Sequence, residues 1–358
     1  MRGRRKRLIL LGTTVGVLVT PAAAQALTKQ VGMGPPPAVQ RVLQRQYTSD
    51  ANAFFPRQTT IRAGDSVRFV PYGFHTADIP ARGKTPTPLF APTGKPVTGA
   101  LDAAGAPFWF NGQPQLGFAP PLLVSVFGKR QTFSAARGFQ TGVPLANNPK
   151  PATVTFRTPG THTYYCDVHP GMKGSIRVVP RNRAIPSRQA DARRAKAQAD
   201  AAVRVAKTLA GTQGQGTTVS VGLAGAGGVE YLDFKPNAVS VPVGGTVTFT
   251  MPAKSTEAHT ATTGPGNPED PRSYVGALAV SFGSPVPAPA ALYPSDPPPA
   301  VAALSLTSHG NGFWNSGVLD AAAASPPPSK NAVSFSQPGT YSFTCLIHPF
   351  MKATVNVS

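Results

Sequence analysis

Apolar and polar residues alternate along this chain in short runs, and the runs occur twice in the same order. Val67-Arg68-Phe69 and Val247-Thr248-Phe249 both have the period of a half-buried strand. Each follows a Phe-x-Pro unit and a glycine turn: Phe54-Phe55-Pro56 with Gly64, and Phe234-Lys235-Pro236 with Gly244-Gly245. Each precedes a histidine, in His75-Thr76 and His259-Thr260. The downstream ends match as well. Val154-Thr155-Phe156, Pro159-Gly160-Thr161 and Tyr164-Tyr165-Cys166 have counterparts in Val333-Ser334-Phe335, Pro338-Gly339-Thr340 and Phe343-Thr344-Cys345. A last strand follows each cysteine, over 175–179 and 353–357. The pattern is an internal repeat of about 180 residues. Short strands, Gly/Pro turns and no long helix inside either copy predict an all-β chain of two antiparallel sandwiches.

Between the early histidine and the late cysteine lie Pro/Gly-rich stretches, roughly 80–140 and 263–330. Most of each reads as long loops. Leu122–Phe127 is a candidate strand, and Gly138–Val143 and Phe313–Val318 read as counterparts. Residues 187–210 differ: Ser187 is placed to cap an Ala/Arg/Lys-rich helix that ends near Leu209 and Gly211. With little apolar face it reads as a solvated helical linker, or as a helix for a membrane surface or partner.

The N-terminus stands apart. Arg2, Arg4, Arg5, Lys6 and Arg7 precede an apolar run, Leu8 to Val19, and then small residues ending at Ala24 or Ala26. That order is the signature of a secretory signal peptide, with a short membrane anchor as the alternative. Arg4-Arg5 hints at twin-arginine export. The expected division is 1–26 signal peptide, 27–180 first sandwich, 181–214 basic helical linker and 215–358 second sandwich. Exported, periplasmic or extracellular placement follows, with no membrane span in the mature chain.

Composition changes this picture little, and charge changes it more. The 358 residues include 40 Pro and 36 Gly, in keeping with long loops. The net charge of +20 is uneven. Residues 27–180 have 16 basic and 5 acidic side chains, 181–210 have 8 and 2, and 211–358 have 5 and 7. A basic first half suits acidic partners, anionic lipid or cell-wall polymers. No nucleic-acid motif accompanies it.

The chemistry concentrates at the two cysteines. Cys166-Asp167-Val168-His169-Pro170-Gly171-Met172 and Cys345-Leu346-Ile347-His348-Pro349-Phe350-Met351 are both Cys-x-x-His-x-x-Met. With the upstream histidine, each repeat offers one thiolate, two imidazoles and one thioether. A thiolate, two histidines and a weak axial methionine form the blue-copper donor set. Structural zinc asks for four strong ligands, and methionine is not among them. A lone Cys, Met or His is more often structural, but the same spacing stands at both cysteines. His162 aligns with Tyr341 and reads as structural. His309 has no counterpart and reads as incidental.

These residues resemble the cupredoxin family, of the plastocyanin and amicyanin type, present twice. The resemblance covers roughly 47–180 and 215–358, and the Cys-x-x-His-x-x-Met loop is most similar to amicyanin. It implies two cupredoxin-like Greek-key β-sandwich domains joined by a short helical linker. It implies two type 1 copper sites per chain: His75, Cys166, His169 and Met172, and His259, Cys345, His348 and Met351. In this family the loop histidine has an exposed ring edge for electrons, a role that falls to His169 and His348. Gly171 against Phe350 before each methionine suggests different tuning of the two sites.

The implied activity is one-electron transfer. Copper delivery or storage is the first alternative, and an adhesive surface sandwich another. Copper oxidases and nitrite reductases share the two-domain plan but need further histidines. Here Tyr165 and Thr344 precede the cysteines and no His-x-His occurs, which disfavours an enzyme.

Overall fold

Strands with buried alternate residues pair into four main sheets in this computed structural model, which describes residues 26–322 and 327–358. The expected signal peptide falls almost wholly on residues 1–25, outside the described residues. No helix among the described residues is long and apolar enough to cross a membrane.

The first half stacks two five-stranded sheets. One runs Phe54–Phe55, Thr28–Met33, Ser66–Pro71, Ala152–Thr155, Arg130–Thr132. The other runs Phe139–Gln140, Asp78–Ile79, Gly160–Tyr165, Lys173–Val179, Gln58–Arg62. The second half repeats this order. Its sheets run Val229–Lys235, Thr218–Gly225, Thr246–Thr250, Lys330–Phe335, Ala302–Leu304, and Trp314–Asn315, Thr262–Thr263, Gly339–Thr344, Lys352–Val357, Ala238–Val241. The chain is all-β in its framework, as the alternation predicts. Phe139 and Trp314 begin equivalent edge strands, so Gly138–Val143 and Phe313–Val318 are counterparts in space.

Burial follows the pleat. Val67 and Phe69 point inward while Arg68 points out, and Val247 and Phe249 do the same around Thr248. In the first core Phe69 meets Tyr164 edge-on at 5.1 Å; in the second Phe249 meets Phe343 at 4.8 Å. Each fully buried ring contributes roughly 2–3 kcal/mol of transfer free energy.

Four features depart from the expectations. First, the first half contains a helix, α1 (Pro37–Tyr47). Pro37 supplies a pre-set φ for its first turn, and Val39 and Leu43, four apart, face inward. Second, Leu122–Phe127 is not a strand. Pro120-Pro121 open a tight 3-10 turn, and Leu122 is buried while Val124 is exposed.

Third, the helix after Ser187, α2 (Arg188–Ala210), is capped as expected: the Ser187 hydroxyl accepts from the Ala190 amide at 3.1 Å. It is not solvated all round. Ala199, Ala202 and Ala206 form a stripe of small residues buried against Leu43, Ala51, Phe55 and Val229. Small side chains let the helix approach closely, so little apolar volume is needed. Lys29 fixes its start by pairing with Asp191 at 2.6 Å, and both side chains are buried.

Fourth, the Pro/Gly-rich insertions are not free loops. A hairpin, Phe90–Pro96 with Pro114–Phe118, reaches the second half. The Phe118 amide donates to the Pro285 carbonyl at 2.7 Å, and the Trp109 indole N–H to the Pro294 carbonyl at 2.8 Å. Val97, Phe108, Phe110 and Phe313 form a separate core between the insertions, beside α3 (Tyr274–Ser281). The halves are also joined by backbone. Ser49–Ala51 pairs antiparallel with Val229–Tyr231 and adds a strand to the second half's sheet.

Candidate metal centres

Each cysteine lies at the end of a central strand, where the chain doubles back. Cys166 follows Gly160–Tyr165, and Met172 precedes Lys173–Val179. The Cys166 amide donates to the Met172 carbonyl at 3.0 Å, and the Met172 amide to the His169 carbonyl at 3.0 Å. In the second half the equivalent bonds are 3.4 Å (Cys345 to Met351) and 2.9 Å (Met351 to His348). One tight turn therefore carries three candidate ligands in each half. The fourth, His75 or His259, lies just ahead of the strand that neighbours the cysteine strand, Asp78–Ile79 or Thr262–Thr263.

The side chains converge alike in both halves. His75 Nδ1 lies 3.0 Å from His169 Nδ1, and Cys166 Sγ lies 3.4 Å from His169 Nδ1 and 3.9 Å from His75 Nδ1. His259 and His348 bring their Nδ1 atoms to 3.1 Å, with Cys345 Sγ at 3.6 and 4.0 Å. These separations allow one ion to be shared through bonds of about 2.0–2.3 Å. Met172 and Met351 are buried in the same apolar cores as the cysteines.

Electrostatics favour the metal-binding protonation state of sulfur. Burial pushes the Cys166 thiol up, but His169 and His75 outweigh it and bring the thiol well below its ordinary range. Burial is likewise outweighed at Cys345, by His259 and His348. Burial opposes charge on His169, yet Glu257 and Cys166 raise it well above the usual imidazole range. His348 is also raised, against burial, by Cys345 and Glu257. Both shifts of sulfur point toward thiolate, the form that ligates.

Two threonines support the cysteines. The Thr76 amide donates to Cys166 Sγ at 3.4 Å, and the Thr260 amide to Cys345 Sγ at 3.3 Å. Their hydroxyls accept from the amide after each cysteine, Asp167 and Leu346, both at 2.8 Å. Thr76 also donates to Asp167 Oδ2 at 2.6 Å. Burial, then the charge of Asp78, pushes the Asp167 carboxyl up to about 8.

Behind the inner histidines stand two equivalent glycines. Gly34 has φ +93°, and a Cβ there would lie 2.9 Å from His75 Nε2. Gly222 has φ +84°, and a Cβ there would lie 3.1 Å from His259 Nε2. Both positions need the left-handed backbone and the missing side chain.

The outer histidines do not present free ring edges to solvent, contrary to expectation. His169 is 7% exposed and His348 is largely covered, because the two loops face each other across the contact between the halves. Between them sits Glu257. His169 Nε2 lies 3.4 Å from one carboxylate oxygen, and His348 Nε2 lies 3.9 Å from the other. Asn52 Nδ2, from the first half, donates to Glu257 at 2.8 Å. Burial would push this carboxyl up, but His169, with His348 and His259, holds it well below the usual carboxylate range. A cavity of about 480 Å³ opens over the group, lined by His75, His169, His348 and Glu257 and by the exposed rings of Phe74 and Phe350.

His162 packs against Phe133 and Phe156, a structural setting as expected. His309 is not incidental. It is partly buried and lies 3.3 Å from Asp102 of the first half's insertion and 3.7 Å from Asp296.

Sequence reasoning passed over Thr76, Thr260 and Glu257. The His-Thr pair is visible in both copies and could have been read as a support for sulfur. Glu257 could not be found that way, because Glu257-Ala258-His259 aligns with Gly73-Phe74-His75.

No family model and no curated protein matches the chain. Among solved structures, it is similar to a variant of amicyanin in its reduced Cu(I) form at pH 4, at 15% identity. That match covers 42% of this chain and 89% of the other, with a TM-score of 0.22. It is also similar to the oxidized form of plastocyanin from Dryopteris crassirhizoma, at 22% identity, covering 39% of this chain and 99% of the other, with a TM-score of 0.21.

Proposed function

We propose that the chain is an exported two-site copper protein that carries single electrons. Its halves are two tandem cupredoxin-type domains, with 27–180 and 215–358 as their extents and 181–214 as the linker. His75, Cys166, His169 and Met172 hold one ion; His259, Cys345, His348 and Met351 hold the other. The observation that carries this reading is the repeated convergence of two Nδ1 atoms and one thiolate Sγ, each beside a buried methionine.

The donor set fits the group. Copper bound by a thiolate, two imidazoles and a thioether supplies a one-electron couple with little change of geometry. The chain's own residues prepare that environment. Burial keeps water from the thiolates. The Thr76 and Thr260 amides draw electron density from sulfur and so favour the reduced state. Gly34 and Gly222 seat the inner rings, and the Thr76 and Thr260 hydroxyls fix the loops. Repeated hydrogen bonding of this kind favours a carrier, whose site must stay rigid, over a delivery protein, whose ligands must let go. The basic first half suits an acidic redox partner.

Loading the mature chain with Cu(II) tests this reading. Two coppers per chain with intense thiolate charge-transfer absorption are expected, and Cys166→Ser and Cys345→Ser should each remove one. A colourless protein, or one with a Cys166–Cys345 disulfide, overturns it.

A further inference from the structure

The two outer histidines share one carboxylate, and that juxtaposition has a consequence for both sites. Each ring turns Nδ1 toward its own cysteine and Nε2 toward Glu257. Glu257 is 6% exposed and fixed from both halves. Asn52 donates to its carboxylate, and its own amide donates to the Ser255 hydroxyl at 3.1 Å. A buried acceptor facing Nε2 keeps the proton on that nitrogen and leaves Nδ1 free to ligate. At His169, 3.4 Å away, Glu257 holds that tautomer directly; at His348, 3.9 Å away, it faces the same nitrogen without a formed bond.

We propose that His169, Glu257 and His348 form an internal connection through which one electron passes between the two sites, with Glu257 as the positioning residue for both rings. This rests on the copper reading above. The exchange is balanced within the chain: the site that gives the electron is oxidised as the other is reduced. No proton leaves, because Nε2–H and the carboxylate keep their forms. The connection is short, and the low exposure of His169 favours an internal neighbour over an external one. Its weaker leg is the 3.9 Å contact to His348, beyond hydrogen-bond length, and closing that gap should speed the exchange.

The test uses the full copper-loaded chain and Glu257→Gln, with Glu257→Asp as the conservative variant. The amide of glutamine can accept from one ring only. Two readouts apply. Nitrogen NMR of the Cu(I) form should show an exchange-protected Nε2–H on both His169 and His348, lost from at least one in Glu257→Gln and kept in Glu257→Asp. After one-electron pulse reduction, a concentration-independent equilibration between the sites should slow about tenfold or more in Glu257→Gln and recover in part in Glu257→Asp. A chain that binds no copper overturns the functional reading and this one with it. A chain that binds two coppers but equilibrates equally fast in Glu257→Gln, or carries Nε2–H on neither ring, overturns this proposal alone.

Discussion

Asp102 and His309, 207 residues apart in the chain, meet at 3.3 Å where the insertions of the two halves interlock. Asp296 raises the His309 pKa most; burial opposes this, and Asp102 adds to the rise. A raised histidine stabilises the fold fully below its unfolded pKa of about 6.5, and that share is lost as pH rises through the folded value. His309→Asn should therefore lower Tm by about 2 °C near pH 6 and by much less near pH 8. Thermal melts of both proteins across that range give the check; a pH-independent difference would refute the linkage.

The glycines behind the inner rings make a sharper case. Gly34→Ala and Gly222→Ala each add a Cβ against an imidazole and force alanine into the left-handed region. Backbone strain alone costs about 1–2 kcal/mol, and the contact with His75 or His259 adds to it. Each variant should lose stability in urea and weaken metal uptake at its own site only. Copper titration of the pair, followed by absorbance, tells the sites apart.

Thr76 and Thr260 have matching roles but unequal burdens. Both hydroxyls receive an amide and bond once more, that of Thr76 to the buried Asp167 carboxyl and that of Thr260 to the buried Thr262 hydroxyl. Thr260→Val should cost about 1–2 kcal/mol and Thr76→Val about 1 kcal/mol more, because Thr76 bonds a buried carboxyl whereas Thr262 keeps its bond to Asn315 when Thr260 is lost. Denaturant unfolding of the metal-free chain measures both. Equal losses would mean that Asp167 does not depend on Thr76.

Lys29 and Asp191 tie α2 to the first sandwich with both charges buried. Lys29→Met should cost about 3 kcal/mol, since it leaves Asp191 buried with only Arg194 nearby. Lys29→Met with Asp191→Leu should recover most of that loss, because apolar pairs replace buried ion pairs well. The stabilities of the single and double variants settle whether the pair acts through packing or through charge.

The repeated parts of this molecule were the legible ones. Val67-Arg68-Phe69 and Val247-Thr248-Phe249 carry a period, and the two Cys-x-x-His-x-x-Met turns carry a spacing; both survive in one dimension. The contact between the halves has neither. Glu257 matches Gly73 in the other copy, so the repetition that pointed to the candidate ligands concealed it. Trp109, Tyr293 and Phe313 lie in Pro-rich stretches without periodicity, and only folding brings them together. The α2 stripe was missed for a different reason: alanine reads as neutral in a sequence, yet at 199, 202 and 206 it is the residue that lets two helices touch.

The strand Ser49–Ala51 imposes an order on synthesis. Its partner, Val229–Tyr231, leaves the ribosome some 180 residues later, roughly ten to forty seconds at ordinary elongation rates. For that interval the nascent first half presents a row of unpaired amides and carbonyls beside the histidine loop. Any chaperone or export machinery that handles the chain must keep that edge from pairing with another copy. A gene split between the two repeats would make the exposure permanent.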